Sequence, residues 1–249
     1  MNDGVPAGEI LNLRSRINRK TTVVPITEEK TISEIRIDLI KNAKLHGYDL
    51  LILGDFDDSF SQNRAAQIQK SYRSDIAFFY NDIYCGGKPA FTYMPKTVTN
   101  ISQIEEENFL GLSNTAVNLT SFSLDFLDSL SDVKTNVFDW YFYSMMLLKA
   151  GAVGLYVPDA HTYYRQHADN IAGARQISYT KEIEVKLAQY SLLSDYYEHA
   201  DYLLKKYKEL ASSESMIQRY IRKDKTNYWW SLLKVDNTGR KEKCLTIQQ

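Results

Sequence analysis

Cysteine is nearly absent: Cys85 and Cys244 are the only two in 249 residues. Two thiols that far apart fit no disulfide framework, zinc spacing or redox pair, so they are expected to be inert thiols of a cytoplasmic chain. Long apolar runs are missing too. No stretch approaches the roughly 18 apolar residues of a membrane-spanning helix, and no apolar segment near the start reads as a signal peptide. Charge of one sign is also lacking. The 30 Lys and Arg residues against 31 Asp and Glu leave a net charge of −1, which gives no reason to expect a nucleic-acid partner. No internal repeat or low-complexity tract is present. What remains is a chain 44% hydrophobic, enough for one large domain or a domain with an appendage. Its 18 tyrosines suit polar pockets, interfaces or helix packing.

Along the chain, residues 1–20 read as a basic loop punctuated by Gly4, Pro6 and Gly8. Val23–Ile26 reads as a short strand, with Pro25 suiting an edge. Ser33 is the expected N-cap of a half-buried helix carrying Ile35, Ile37, Leu39, Ile40 and Ala43, and Gly47 its C-terminal stop. A strand at 50–54 follows, then a helix at roughly 61–73 and a strand over Asp75–Tyr80. Residues 84–100 read as an irregular hairpin turning at Gly86-Gly87. Ser123 is expected to cap a helix over Leu124–Leu130, and Val137–Gly151 is an apolar, aromatic helix. Val153–Val157 reads as a short strand. Residues 176–223 read as two long amphipathic helices. Strand, helix and strand in succession predict an α/β fold.

The sharpest local signal is Leu50-Leu51-Ile52-Leu53-Gly54-Asp55-Phe56-Asp57-Asp58, an apolar run that ends in three carboxylates. It reads as a buried parallel strand opening into a site. In an extended strand Asp55 and Asp57 share one face. Converging carboxylates repel each other unless a proton or a cation relieves them, and a divalent metal with oxygen ligands is the natural relief. A solvated acidic turn would carry the same letters.

Three further segments change the weight of that choice. Phe138-Asp139-Trp140 places an acid at the start of an apolar helix, where the helix dipole favours it. Tyr163-Tyr164-Arg165-Gln166-His167-Ala168-Asp169-Asn170 gathers a cation, an imidazole and amides after a strand. Asn2-Asp3-Gly4 is a turn signal. In this order, the four segments resemble those of family 2 glycosyltransferases of the GT-A fold, over residues 1 to about 173. The family's Asp-Gly turn resembles Asn2-Asp3-Gly4, and its helix arginine before the metal strand resembles Arg36. Its D-x-D-D strand end resembles Asp55–Asp58. Its acid-Asp-Trp helix start resembles Phe138-Asp139-Trp140, with the preceding acid replaced. Its Tyr-Arg-x-His-x-x-Asn segment resembles Tyr164–Asn170.

The resemblance implies a Rossmann-like mixed sheet flanked by helices over residues 1–175, with a helical extension over 176–249. It implies inverting, metal-dependent transfer of a sugar from a nucleotide-diphosphate sugar to a glycan or lipid-linked acceptor. Asp139 would be the general base, its pKa lifted by Phe138, Trp140 and Phe142. Asp3, Arg36, Asp55 and Arg165 would bind the donor, and Asn114 the acceptor. Asp57 and His167 would hold Mg²⁺ or Mn²⁺. Nothing before Asn2 matches the family's first strand and helix, so turnover is expected to be weak or absent.

Two other classes compete. An apolar strand ending in Asp-x-Asp also resembles the nucleophile motif of haloacid-dehalogenase-like phosphohydrolases, but Ser59 stands where Thr or Val is wanted, and the downstream Lys and Gly-Asp-x-x-x-Asp elements are missing. A non-catalytic, degenerate glycosyltransferase-like module is the other. The helices of the C-terminal third are candidates for packing on the core or on a second copy. The basic stretch Arg219–Lys223 with Trp229-Trp230 is a candidate for peripheral contact with the inner face of a membrane, or simply a solvated helix.

Overall fold

The computed structural model describes residues 8, 12, 29–91, 93–165, 178–222 and 231–235. The strand expected at Val23–Ile26, and with it the first strand of the expected strand–helix–strand unit, lies outside the described residues, as do Asp3, His167, Cys244 and Trp229-Trp230.

Helix α1 spans Ile32–Leu45. Its N-cap is Thr31, not the expected Ser33: the Thr31 hydroxyl accepts from Glu34 N–H while the Glu34 carboxylate takes the Thr31 N–H, a reciprocal capping box. Ser33 lies inside the helix, buried, with its hydroxyl donating to Thr135 O at 3.3 Å. The C-terminus closes as expected at Gly47. At φ +76° this glycine lets its own N–H reach Lys44 O and the Tyr48 N–H reach Ala43 O.

Strand β1 (Leu50–Ile52) follows, then β2 (Ser59–Phe60), α2 (Arg64–Ser71), β3 (Phe78–Cys85), β4 (Lys88–Pro89), β5 (Thr97–Val98) and β6 (Thr115–Asn118). Next come α3 (Leu124–Asp128), α4 (Phe138–Lys149), β7 (Gly154–Tyr164) and helices α5 (Tyr179–Leu193), α6 (Glu198–Ala211) and α7 (Glu214–Tyr220). The strands form one mixed sheet in the order β1-β6-β3-β7-β2, with β4 against β3 and β5 against β7. The fold is therefore mixed α/β, a curled sheet flanked by helices.

Alternation along β3 distributes the core. Phe78 and Tyr80 enter the larger cluster with Val117, Phe142 and Tyr143, while Phe79 joins Ile68, Ala116 and Val157 under α2 on the other face. The larger cluster continues through Tyr190, Leu193 and Leu203, so the C-terminal helices share it.

Several elements depart from the expected boundaries. Strand β1 is half-buried and pairs antiparallel with β6, its neighbour among the described residues, rather than lying in a buried parallel array. An apolar run fixes neither strand direction nor full burial, because both depend on what packs beside the strand. Strand β3 starts three residues late and runs to Cys85, where Gly86 and Gly87, at φ +57° and +79°, make the two-residue hairpin turn to β4. Strand β7 continues past Val157 to Tyr164. Its register against β3 jumps from Tyr80↔Tyr156 to Asp82↔His161, and the extra residues include Pro158 and Asp159, the latter at φ +63°. Proline is tolerated in a strand at such a bulge, where the ladder is already interrupted. The C-terminal region forms the two expected helices and a short third. No helix of the described residues is long and apolar enough to cross a membrane.

Candidate active site

The acidic segment lies beyond the end of β1. The Asp58 N–H donates to Asp55 O at 3.3 Å, closing a turn with Phe56 and Asp57 at its corner. The strand-face alternation expected to align Asp55 with Asp57 therefore does not apply. Phe56 is thrown outward and is 91% exposed.

Asp55 and Asp58 both turn back toward the fold. Asp55 Oδ1 lies 2.7 Å from Arg36 Nη1, so the middle of α1 reaches the turn. Asp58 accepts from the Ser113 hydroxyl through one oxygen and from the Arg165 N–H at 3.0 Å through the other. The Ser113 hydroxyl also accepts from the Asp55 N–H at 3.2 Å, so one side chain fixes both ends of the turn. Burial holds the Asp58 carboxyl above its ordinary range. Asp57 and Asp55 push it the same way, against the two hydrogen bonds.

Behind the turn sits Arg64, from the first turn of α2. Its guanidinium is buried and donates to Asn81 Oδ1 at 2.9 Å, Leu53 O at 2.9 Å, and the carbonyls of Ser113 and Thr115 at 3.0 and 3.2 Å. Burial draws it down to about 10, which leaves it charged at neutral pH. This one residue ties the end of β1 to β3 and β6.

Asp139 stands in the first turn of α4, between buried Phe138 and Trp140. Its carboxylate accepts from Trp140 N–H at 2.8 Å. Burial pushes its carboxyl up to about 6, and Asp55 adds to this; the Trp140 N–H and Arg36 pull it back. The Asp55–Arg36 pair and Asp139 thus feel one another. The backbone comes close at Gly111, where a Cβ would sit 3.7 Å from Asp139 Oδ2 and 3.2 Å from Asn114 Oδ1.

Asn114 is fully buried. Its carbonyl accepts from Gly111 N–H at 2.8 Å, and its NH₂ donates to Asn81 O and Phe109 O at 2.8 and 3.1 Å. These bonds brace the loop beside Asp139. Arg165 is exposed at the end of β7, and Asp57 is half-buried. An open cavity of about 350 Å³ between the starts of α1, α4 and α5 is lined by none of these residues.

Of the residues singled out in the sequence, the structure pairs Arg36 with Asp55, sets Asp139 within electrostatic reach of both, and places Asn114 behind Gly111. Ser113 lies in the region Gly111–Asn118 that the resemblance assigns to the acceptor pocket, whereas Arg64 and Asn81 belong to no motif and carry no signal in the sequence. Among the described residues, no three His, Cys, Asp or Glu side chains are grouped to hold a metal ion. Mg²⁺ commonly takes only one or two protein carboxylates and completes its shell with water and substrate phosphates, and Asp57 suits that mode. No model of a known protein family matches this sequence, and no curated protein matches it either.

Proposed function

We propose that this protein is a glycosyltransferase of the GT-A kind, moving a sugar from a nucleotide-diphosphate donor to a hydroxyl of a glycan or lipid-linked acceptor. What supports this reading is the Arg36–Asp55 ion pair, with Asp139 of a third segment within electrostatic reach of both and its carboxyl pushed up to about 6, chiefly by burial. A carboxylate tuned that close to neutral pH is suited to general-base work.

In this scheme Asp139 takes the proton of the acceptor hydroxyl as that oxygen attacks the anomeric carbon. The bond from that carbon to the diphosphate breaks, with inversion. Arg36 holds Asp55 in place to receive the donor, and Arg165, beside the acidic turn, offers its guanidinium to phosphate oxygens. A divalent cation, when bound, would neutralise charge on the departing diphosphate, and Asp57 is the described residue to hold it. The same resemblance gives His167 and Asp3 their roles at the metal and the base. The phosphohydrolase alternative would make Asp55 the nucleophile, but the Arg36 ion pair stabilises that carboxylate instead of activating it.

The test is release of nucleoside diphosphate from uridine- and thymidine-diphosphate sugars with Mg²⁺ or Mn²⁺. Slow, metal-dependent release is expected, lowered about 10²–10⁴-fold in Asp139→Asn. Phosphate release from simple phosphomonoesters, with no response to sugar nucleotides, would overturn the reading.

A further inference from the structure

Glu105, Glu106 and Glu107 are three consecutive acids, yet Glu105 is 4% and Glu106 7% exposed. Each of the three is tied to the C-terminal part of the chain. Glu105 O accepts from Tyr190 OH at 2.8 Å, and its carboxylate lies 2.8 Å from Tyr197 OH and 3.0 Å from His199 Nδ1. Glu106 Oε1 accepts from the Val235 N–H at 2.7 Å. Glu107 pairs with Arg222.

The segment Ser231–Val235 is itself gripped by its main chain. Glu182 accepts from the N–H groups of Leu232 and Leu233, both at 2.9 Å. Lys186 donates to Leu233 O at 2.7 Å and to Tyr207 OH at 2.9 Å, and lies 3.0 Å from Glu182 Oε1. These three partners match the three donors of an ammonium group. Arg222 N–H donates to Leu232 O at 2.9 Å and Lys234 N–H to Tyr220 O at 3.0 Å. Leu233 and Val235 are buried.

The same acidic run leads straight into the loop beside Asp139. Asn108 closes on Leu110 through two hydrogen bonds, and Gly111 N–H is held by Asn114. We propose that Ser231–Val235 is a strap that holds residues 106–111 against the start of α4, so that release of the strap opens the wall next to Asp139. That this wall faces the acceptor rests on the function proposed above; the mechanical link does not.

Hydrogen exchange of the full chain tests the link without any substrate, so a failure to turn over sugar nucleotides leaves it standing. Val235→Pro removes the N–H that Glu106 accepts. In this variant the Leu110 and Gly111 amides are expected to exchange at least fivefold faster, with the interior amides of α1 unchanged. Should that variant not fold, Leu233→Ala loosens the strap through its buried side chain and is expected to speed strap and loop amides together. Fast exchange at Leu232 and Leu233 with wild-type rates at Leu110 and Gly111, in either variant, would overturn the proposal.

Discussion

Asp139 carries the clearest consequence at the scale of a single residue. The general base proposed here would work deprotonated, so kcat/KM is expected to rise with pH through about 6 and level off above it, and Asp139→Asn should lose that limb along with the rate. The same shift has a cost in stability. The folded carboxyl titrates above its unfolded counterpart, so the folded state binds the proton more tightly. As pH rises from about 4 to about 6, the native protein loses stability that a neutral side chain would keep. Asp139→Asn is therefore expected to melt at a higher temperature than wild type at pH 7.5, with the gap closing by pH 4. A gap independent of pH, measured by differential scanning fluorimetry, would mean that the carboxyl is not held above its ordinary range. Gain of stability with loss of activity is the pattern expected where function strains a site.

At the scale of elements, the buried pair of α5 organises the C-terminal third. Glu182 and Lys186 are one turn apart and wholly buried, yet each also serves the strap backbone. Lys186→Met leaves Glu182 without its cation and is expected to cost about 3–5 kcal/mol in urea unfolding. An isolated pair is often rescued by replacing both partners with apolar side chains. Here the second change, Glu182→Leu, strips the acceptors from Leu232 and Leu233 N–H, so the double variant should be no more stable than the single one. Recovery to wild-type stability would show that those two bonds contribute little. How legible such elements were depended on whether their cause is local. Gly47 and Gly86-Gly87 announce their turns because only a residue without Cβ adopts those φ angles freely. The Thr31-x-x-Glu34 box is present in the letters, where Ser33 two positions on is a competing cap. The bulge at Pro158-Asp159 was not legible, because proline there reads as a stop until the partner strand is known. Arg64 was hidden for the same reason: its four acceptors come from segments distant in sequence.

Across the whole molecule, the sheet delivers the acidic turn, the Ser113 corner and the end of β7 to one place, while α1 and α4 bring Arg36 and Asp139 to it. The mixed α/β class followed from the order of apolar periodicities. The antiparallel pairing of β1 and the anchoring of Glu105–Glu107 did not, since both depend on long-range partners. The acidic turn sets three carboxylates close together, with Arg36 at Asp55 and hydrogen bonds at Asp58. A nucleotide-diphosphate site built on that turn needs a cation to bring phosphate close to it. Calorimetric titration of the full chain with uridine or thymidine diphosphate, with and without Mn²⁺, measures this directly. Binding that requires the metal, and that disappears in Asp57→Ala while its circular dichroism and melting temperature stay those of the wild type, is the expected result. Binding equally strong without metal and in Asp57→Ala, or no binding under any of these conditions, would contradict it.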